Sequence, residues 1–216
     1  MLNNTYTSLV ATMILSLSAA AAQAAEVELA VNGGFETGDF TGWTEFPSVL
    51  VGPASVQSTT VSSGSFAAYL PCSVEAACDQ VIKNANIGIG VVNPFDTVTV
   101  SFDLNNTAAA GGVAFVELFS ELDGGGTSKS EILLANGAGT NGWESFSFIT
   151  TLGADVSGGI TLQLKAACGP VPNCTSEAYF DNISVTVEAI PVPAAVWLFG
   201  SGLIGLVGVA RKKKAA

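Results

Sequence analysis

Through the middle of the chain apolar and polar residues alternate, most plainly where Val98, Val100, Phe102 and Leu104 interleave with Thr97, Thr99, Ser101 and Asp103. A period of two marks a strand with one buried face. The same pattern predicts strands over 26–31, 55–61, 66–70, 80–83, 97–104, 113–122, 131–134, 143–150, 160–165 and 178–187. Turn clusters separate them, among them Asn32-Gly33-Gly34, Ser62-Ser63-Gly64, Asp123-Gly124-Gly125-Gly126 and Asn136-Gly137. No part of this region combines a helical period with caps. Many short strands between glycine-rich turns predict two antiparallel sheets packed as a β-sandwich.

At both ends the alternation gives way to apolar runs. Residues 8–22 are Ala-rich and apolar, and Ala22-Gln23-Ala24 has the small-x-small pattern that signal peptidase cuts. Residues 1–7 hold no Lys or Arg, so the α-amino group is the positive charge there. The expectation is a cleaved signal peptide over 1–24, with a retained membrane helix as the alternative. At the other end Pro191 and Pro193 stop the last strand, 194–210 is uncharged and apolar, and Arg211, Lys212, Lys213 and Lys214 follow. That run is at the short edge of what crosses a hydrocarbon core about 30 Å thick. The cations would stay cytoplasmic, and Gly200, Ser201, Gly202, Gly205 and Gly208 would let another membrane helix approach closely. Three parts result: the signal peptide 1–24, a sandwich domain 25–189, and a tail 190–216 with a transmembrane helix 194–210 and a basic end 211–214.

Charge narrows the partners of the central domain. All 18 acids of the chain fall within it, against Lys83, Lys129 and Lys165, a formal charge of −15. Such a surface repels nucleic acid and anionic lipid. The four cysteines form two pairs six residues apart, Cys72 with Cys78 and Cys168 with Cys174. Two local disulfides are the simplest pairing in an oxidising compartment, although four cysteines allow three connectivities. A zinc site is the rival reading, and it would have to form without histidine. The chain has no histidine at all, which removes the common Ser-His and Cys-His schemes. Two carboxylates alone suffice for glycoside hydrolysis. Glu117 and Glu121 share a face of one predicted strand, as a groove floor or as a solvated face. The expectation is a protein that is not an enzyme.

The tail reads Pro-Val-Pro, then Ala-Ala-Val-Trp-Leu-Phe-Gly-Ser-Gly-Leu, Gly-Leu-x-Gly-x-Ala and Arg-Lys-Lys. It resembles the PEP-CTERM sorting signal of Gram-negative bacteria, which an exosortase recognises and cuts near the proline motif. Val192 stands where that motif has Glu, between Pro191 and Pro193, and the cut position stays open. The resemblance implies export, transient anchoring in the inner membrane, and release to the cell surface or extracellular matrix.

A second resemblance rests on three segments. Residues 31–43, Val-Asn-Gly-Gly-Phe-Glu-Thr-Gly-Asp-Phe-Thr-Gly-Trp, are similar to the opening of jelly-roll carbohydrate-binding modules of the cellulose- and xylan-binding kind. Residues 63–70 look like their following strand, and 179–185, Tyr-Phe-Asp-Asn-Ile-Ser-Val, like their last. The fold this implies is all-β, a jelly-roll-like antiparallel β-sandwich. The family pattern also implies a structural calcium where first and last strands meet, held by Glu36 and Asp181 with backbone of Asn32, Gly34 and Asp39. Without an ion, the two carboxylates would cap turns and bond backbone amides. Sugar sites of this fold stack rings on exposed aromatics. Trp43 and Trp143 are expected in the core, and Phe46, Phe95 and Phe119 nearer the surface. The leading functional expectation is an exported, exosortase-sorted surface or matrix protein that associates with extracellular polysaccharide. A lectin-like module with a defined oligosaccharide site is the alternative, and a glycoside hydrolase the third.

Overall fold

A computed structural model describes residues 25–73 and 77–188 of the chain. The predicted signal segment 1–24 lies outside them, as does the tail with Pro191, Val192, Pro193 and Arg211, Lys212, Lys213 and Lys214. Among the described residues the alternating segments become eleven strands with no helix. They are β1 (Glu26–Glu28), β2 (Thr44–Phe46), β3 (Ser55–Gln57), β4 (Ala67–Ser73), β5 (Cys78–Ile87), β6 (Thr97–Ala109), β7 (Val113–Glu121), β8 (Thr127–Asn136), β9 (Glu144–Thr151), β10 (Ile160–Cys168) and β11 (Thr175–Glu188). Each predicted strand is present. β2 had no signal in the sequence because its three residues are all exposed and so do not alternate.

The strands form two antiparallel sheets, one ordered β3-β4-β11-β6-β9 with β1 also on β11, the other β2-β5-β10-β7-β8. This is the expected jelly-roll-like sandwich. Its inner faces supply the core, including Leu70, Val98, Val100, Phe102, Leu104 and Phe180 from the first sheet and Ile82, Val116, Leu162 and Leu164 from the second. Phe102 is the aromatic centre, 5.6 Å from Phe146, 6.0 Å from Phe148 and 6.3 Å from Phe180 between ring centroids. Burying side chains of this size is the dominant favourable term in folding.

β11 organises the first sheet. One of its edges pairs with β6 along most of its length, while the other pairs first with β4 and then with β1. The register shifts between Asp181 and Ser184, and Asn182 there has φ 49°. A bulge of this kind bends a strand and redirects side chains. The turn after β1 fits beside it, with the Ile183 N–H donating to the Gly33 carbonyl at 2.9 Å. A Cβ on Gly33 would lie 1.8 Å from the Ile183 oxygen, so the approach requires glycine.

The disulfides follow the simplest pairing, Cys72–Cys78 and Cys168–Cys174. Each spans a crossover from one sheet to the other, β4 to β5 and β10 to β11. Because β5 pairs with β10, with Cys78 opposite Cys168, the two staples lie side by side. With all four sulfurs in disulfides, no thiolate is left for zinc among the described residues. Trp43 is buried as expected. Trp143 corrects its expectation: it is half-buried rather than core, since it precedes β9, an edge strand bordered on one side.

Candidate functional site

Two places concentrate polar groups, and the first is the turn beside the β11 bulge. Asn32 and Phe35 sit there at positive φ, 51° and 56°. Phe35 points inward, fully buried, 5.3 Å from the Trp43 ring. Asn84, buried on β5, fastens the turn by bonding the Val31 amide and carbonyl and the Gly42 carbonyl. With the apolar side chains drawn in, Glu36 turns to the segment before β4. Its carboxylate accepts from the Ser65 N–H at 2.9 Å and the Phe66 N–H at 3.2 Å.

Asp181, fully buried on β11, accepts from the same segment, from the Ser62 and Ser63 N–H groups at 2.9 and 3.1 Å, and from its neighbour Asn182 at 2.7 Å. Burial raises its pKa despite these bonds, and Asp103 nearby adds to the effect. Gly34 lies between the two carboxylates: a Cβ there would be 3.5 Å from Glu36 Cγ and 3.9 Å from Asp181 Oδ1. The structure therefore brings Glu36, Asp181 and Gly34 together. The other two expected backbone groups carry hydrogen bonds of their own. The Asn32 carbonyl accepts from the Phe35 N–H and Trp43 Nε1, and the Asp39 carbonyl from Asn32 Nδ2 and Thr37 Oγ1.

A residue the sequence reading missed completes this cluster. Asp103, on β6 opposite Asp181, accepts from Ser62 Oγ at 2.6 Å, Ser145 Oγ at 2.5 Å and Asn182 Nδ2 at 2.7 Å. Burial pushes its pKa up, but the bonds from Ser145, Ser62 and Asn182 together outweigh that and lower it. It shares its strand face with Thr99 and Ser101, so its signal in the sequence was only the polar half of an alternation.

The second place is the outer face of the five-stranded sheet. On β7 the residues turned away from the core include Phe115, Glu117 and Phe119. Register sets Gln163 of β10 opposite both Glu117 and Lys83 of β5, and Lys165 opposite both Phe115 and Val81. Phe46 of β2 lies opposite Val81, and Thr161 opposite Phe119. With strands about 4.8 Å apart, Phe46 and Phe115 bracket a strip about 14 Å wide. Gln163 Nε2 donates to Glu117. The Lys83 ammonium stands 5.3 Å from both the Phe46 and the Phe119 ring centroids, and Lys165 stands 5.2 Å from that of Phe115.

Of the aromatics expected near the surface, this face gathers Phe46 and Phe119. Phe95, 66% exposed, is in the loop before β6 and apart from it. Glu117 is on the sheet face, whereas Glu121 lines a cleft with Asn86, Ile89 and Asp123 at the end of the sheet. Four residues along a strand separate their Cα atoms by about 13 Å. Paired glycosidase carboxyl groups lie roughly 5–9.5 Å apart. Glu117 instead pairs with the amide of Gln163.

No protein-family profile matches the sequence, and no curated protein aligns with it. Solved structures do share the fold. A family 16 carbohydrate-binding module is 18% identical with TM-score 0.53, the match covering 73% of this chain and 98% of that one. TmCBM61, solved in complex with β-1,4-galactotriose, is 16% identical with TM-score 0.51, covering 75% and 99%. The CBM22-1 xylan-binding domain of Paenibacillus barcinonensis Xyn10C is 14% identical with TM-score 0.50, covering 78% and 97%. The chain is similar to nearly the full length of each of these modules, as a likeness of fold.

Proposed function

We propose that the chain is a non-catalytic, lectin-like carbohydrate-binding module whose site is the outer face of the five-stranded sheet. The observation that carries this reading is the strip of Phe46, Phe115 and Phe119 interleaved with Lys83, Lys165 and Glu117, the last held by the buried Gln163. Aromatic faces stack on the apolar side of a sugar ring, while carboxylates and ammonium groups bond its hydroxyls. The fold shared with xylan- and galactotriose-binding modules supports the same reading. The test is affinity electrophoresis of the full-length chain through gels holding xylan, β-1,4-galactan and other polysaccharides. At least one polymer should retard it, and Phe119→Ala should weaken the retained binding about tenfold. Mobility unchanged by every polymer would withdraw the proposal.

The turn beside the β11 bulge fits a hard cation. Glu36 and Asp181 have no lysine within ion-pair distance among the described residues, and Asp181 is a buried carboxylate in need of counter-charge. Calcium, bound by oxygen ligands, would be held by these two carboxylates with backbone near Gly34. Its contribution would be neutralisation at a structural joint rather than chemistry.

Delivery belongs to the same proposal. The Pro191-Val192-Pro193 motif, the apolar run 194–210 and the basic end 211–214 support export followed by exosortase sorting to the cell surface. Changing Arg211, Lys212, Lys213 and Lys214 together to Glu should leave the chain misoriented or degraded. Normal surface delivery of that variant would contradict the sorting reading.

A further inference from the structure

The distribution of the few cations narrows the class of glycan. Against 18 acids, the domain carries only Lys83, Lys129 and Lys165. Two of these three stand on the aromatic face, and neither is there to balance a buried acid. Lys129 is elsewhere, paired with Glu131 at 2.7 Å. Lys165 reaches Asp79 at 3.4 Å, but Asp79 is 64% exposed, so water screens that pair. Lys83 has no carboxylate within ion-pair distance among the described residues and is held by the rings of Phe46 and Phe119.

Holding an ammonium by aromatic rings differs from holding it by a carboxylate. The ring quadrupole attracts the cation and restrains it, yet adds no formal charge. The full positive charge and its N–H donors stay available to a ligand. Lys83 is thus a positioned, uncompensated cation in the middle of the strip, with Lys165 one row away on the neighbouring strand. Glu117 is two strands away in the row of Lys83, already bonded by Gln163. About 10 Å separates the two strands carrying Lys83 and Glu117. The face therefore has a cationic side on β5 and β10 and a hydroxyl-accepting side on β7.

We infer that the glycan bound here is an acidic polysaccharide whose sugar carboxylates are read by Lys83, with Lys165 assisting. The inference rests on the carbohydrate-module reading and adds the charge of the ligand to it. The overall charge of −15 does not oppose it in contact, because at 0.1 M salt charges beyond about 10 Å are largely screened.

The test titrates the full-length chain, in a non-glycosidic detergent at 0.1 M salt, with polygalacturonate, alginate and hyaluronate. Each polymer is paired with its carboxyl-reduced counterpart, which keeps the chain of sugars and removes the charge. At least one acidic polymer should bind about tenfold tighter than its reduced form, the scale of a hydrogen bond to a charged group. Lys83→Met, which keeps an apolar stem over the rings, should erase most of that preference, so that the acidic polymer and its reduced form bind the variant about equally. Lys83→Arg should retain the preference. If reduced polymers bind as well as all three acidic ones, the inference fails while the module reading stands. If neither the acidic nor any neutral polymer binds, both fail together.

Discussion

Two aspartates facing each other across β11 and β6 show how local bonding decides what a carboxylate contributes. Asp181 is fully buried, and that desolvation raises its pKa above the ordinary 3.8 even though three backbone N–H groups bond it. Its stabilising contribution is complete below that ordinary value and is lost as pH rises through the raised folded one. Asp103 behaves oppositely, because bonds from Ser145, Ser62 and Asn182 outweigh its partial burial and lower its pKa. Its contribution is present above the ordinary value and lost as pH falls through the lowered one. Asp103→Ala should destabilise the domain by about 1 kcal/mol at pH 7, discounted for its partial exposure. Urea titration should find that difference shrinking as pH falls below the ordinary 3.8 and through the lowered folded value. An equal difference at acid pH would show that packing, not charge, was lost.

At the scale of elements, one end of the sandwich is closed by chemistry and its middle by a bulge. The disulfides join β4 to β5 and β10 to β11, so each ties one sheet to the other across a short connection. Removing one by the Cys72→Ser, Cys78→Ser double substitution should cost about 2 kcal/mol, the scale expected for a loop this short. The sulfurs of Cys72, Cys78 and Cys168 lie within 4.8 Å of one another, so the two staples share surroundings. Loss of both should therefore depart from the sum of the single losses, as contacting sites do. Thermal denaturation of the three variants measures this, and strict additivity would refute the coupling. The bulge at Asp181–Ser184 acts differently, by opening room for the Gly33–Gly34 turn between β4 and β1.

For the whole molecule, the charge of −15 on one domain and the meeting of its first and last strands belong together. Self-repulsion favours a more open state. Glu36 and Asp181 add two of those negative charges at the joint that holds β1 and β11 in place. A bound calcium would relieve both, and ligand binding to the folded state raises stability by mass action. Adding a calcium chelator should lower the Tm of the wild-type chain, and Glu36→Ala should remove that response. A chelator effect that survives in the variant would place the ion elsewhere, and no effect on the wild type would dismiss it.

The sequence by itself determined the strands, the glycine turns and the cysteine pairs. Alternation, φ preference and loop length are local properties, and a period of two survives in any fold that buries one face. It also pointed to Glu36 and Asp181, because the segments carrying them have a recognisable spelling. The odd positions of β7 already aligned Phe115, Glu117 and Phe119 on one side, so part of the aromatic face was legible in one strand. Only the tertiary structure decided what stands next to that strand. Lys83 and Gln163 are eighty residues apart in the chain and opposite each other in the sheet. Phe46 reaches the strip from β2, whose three exposed residues gave no periodic signal at all. Register between distant strands is fixed by packing of the two buried faces, which no local pattern encodes, and charge placement follows from register.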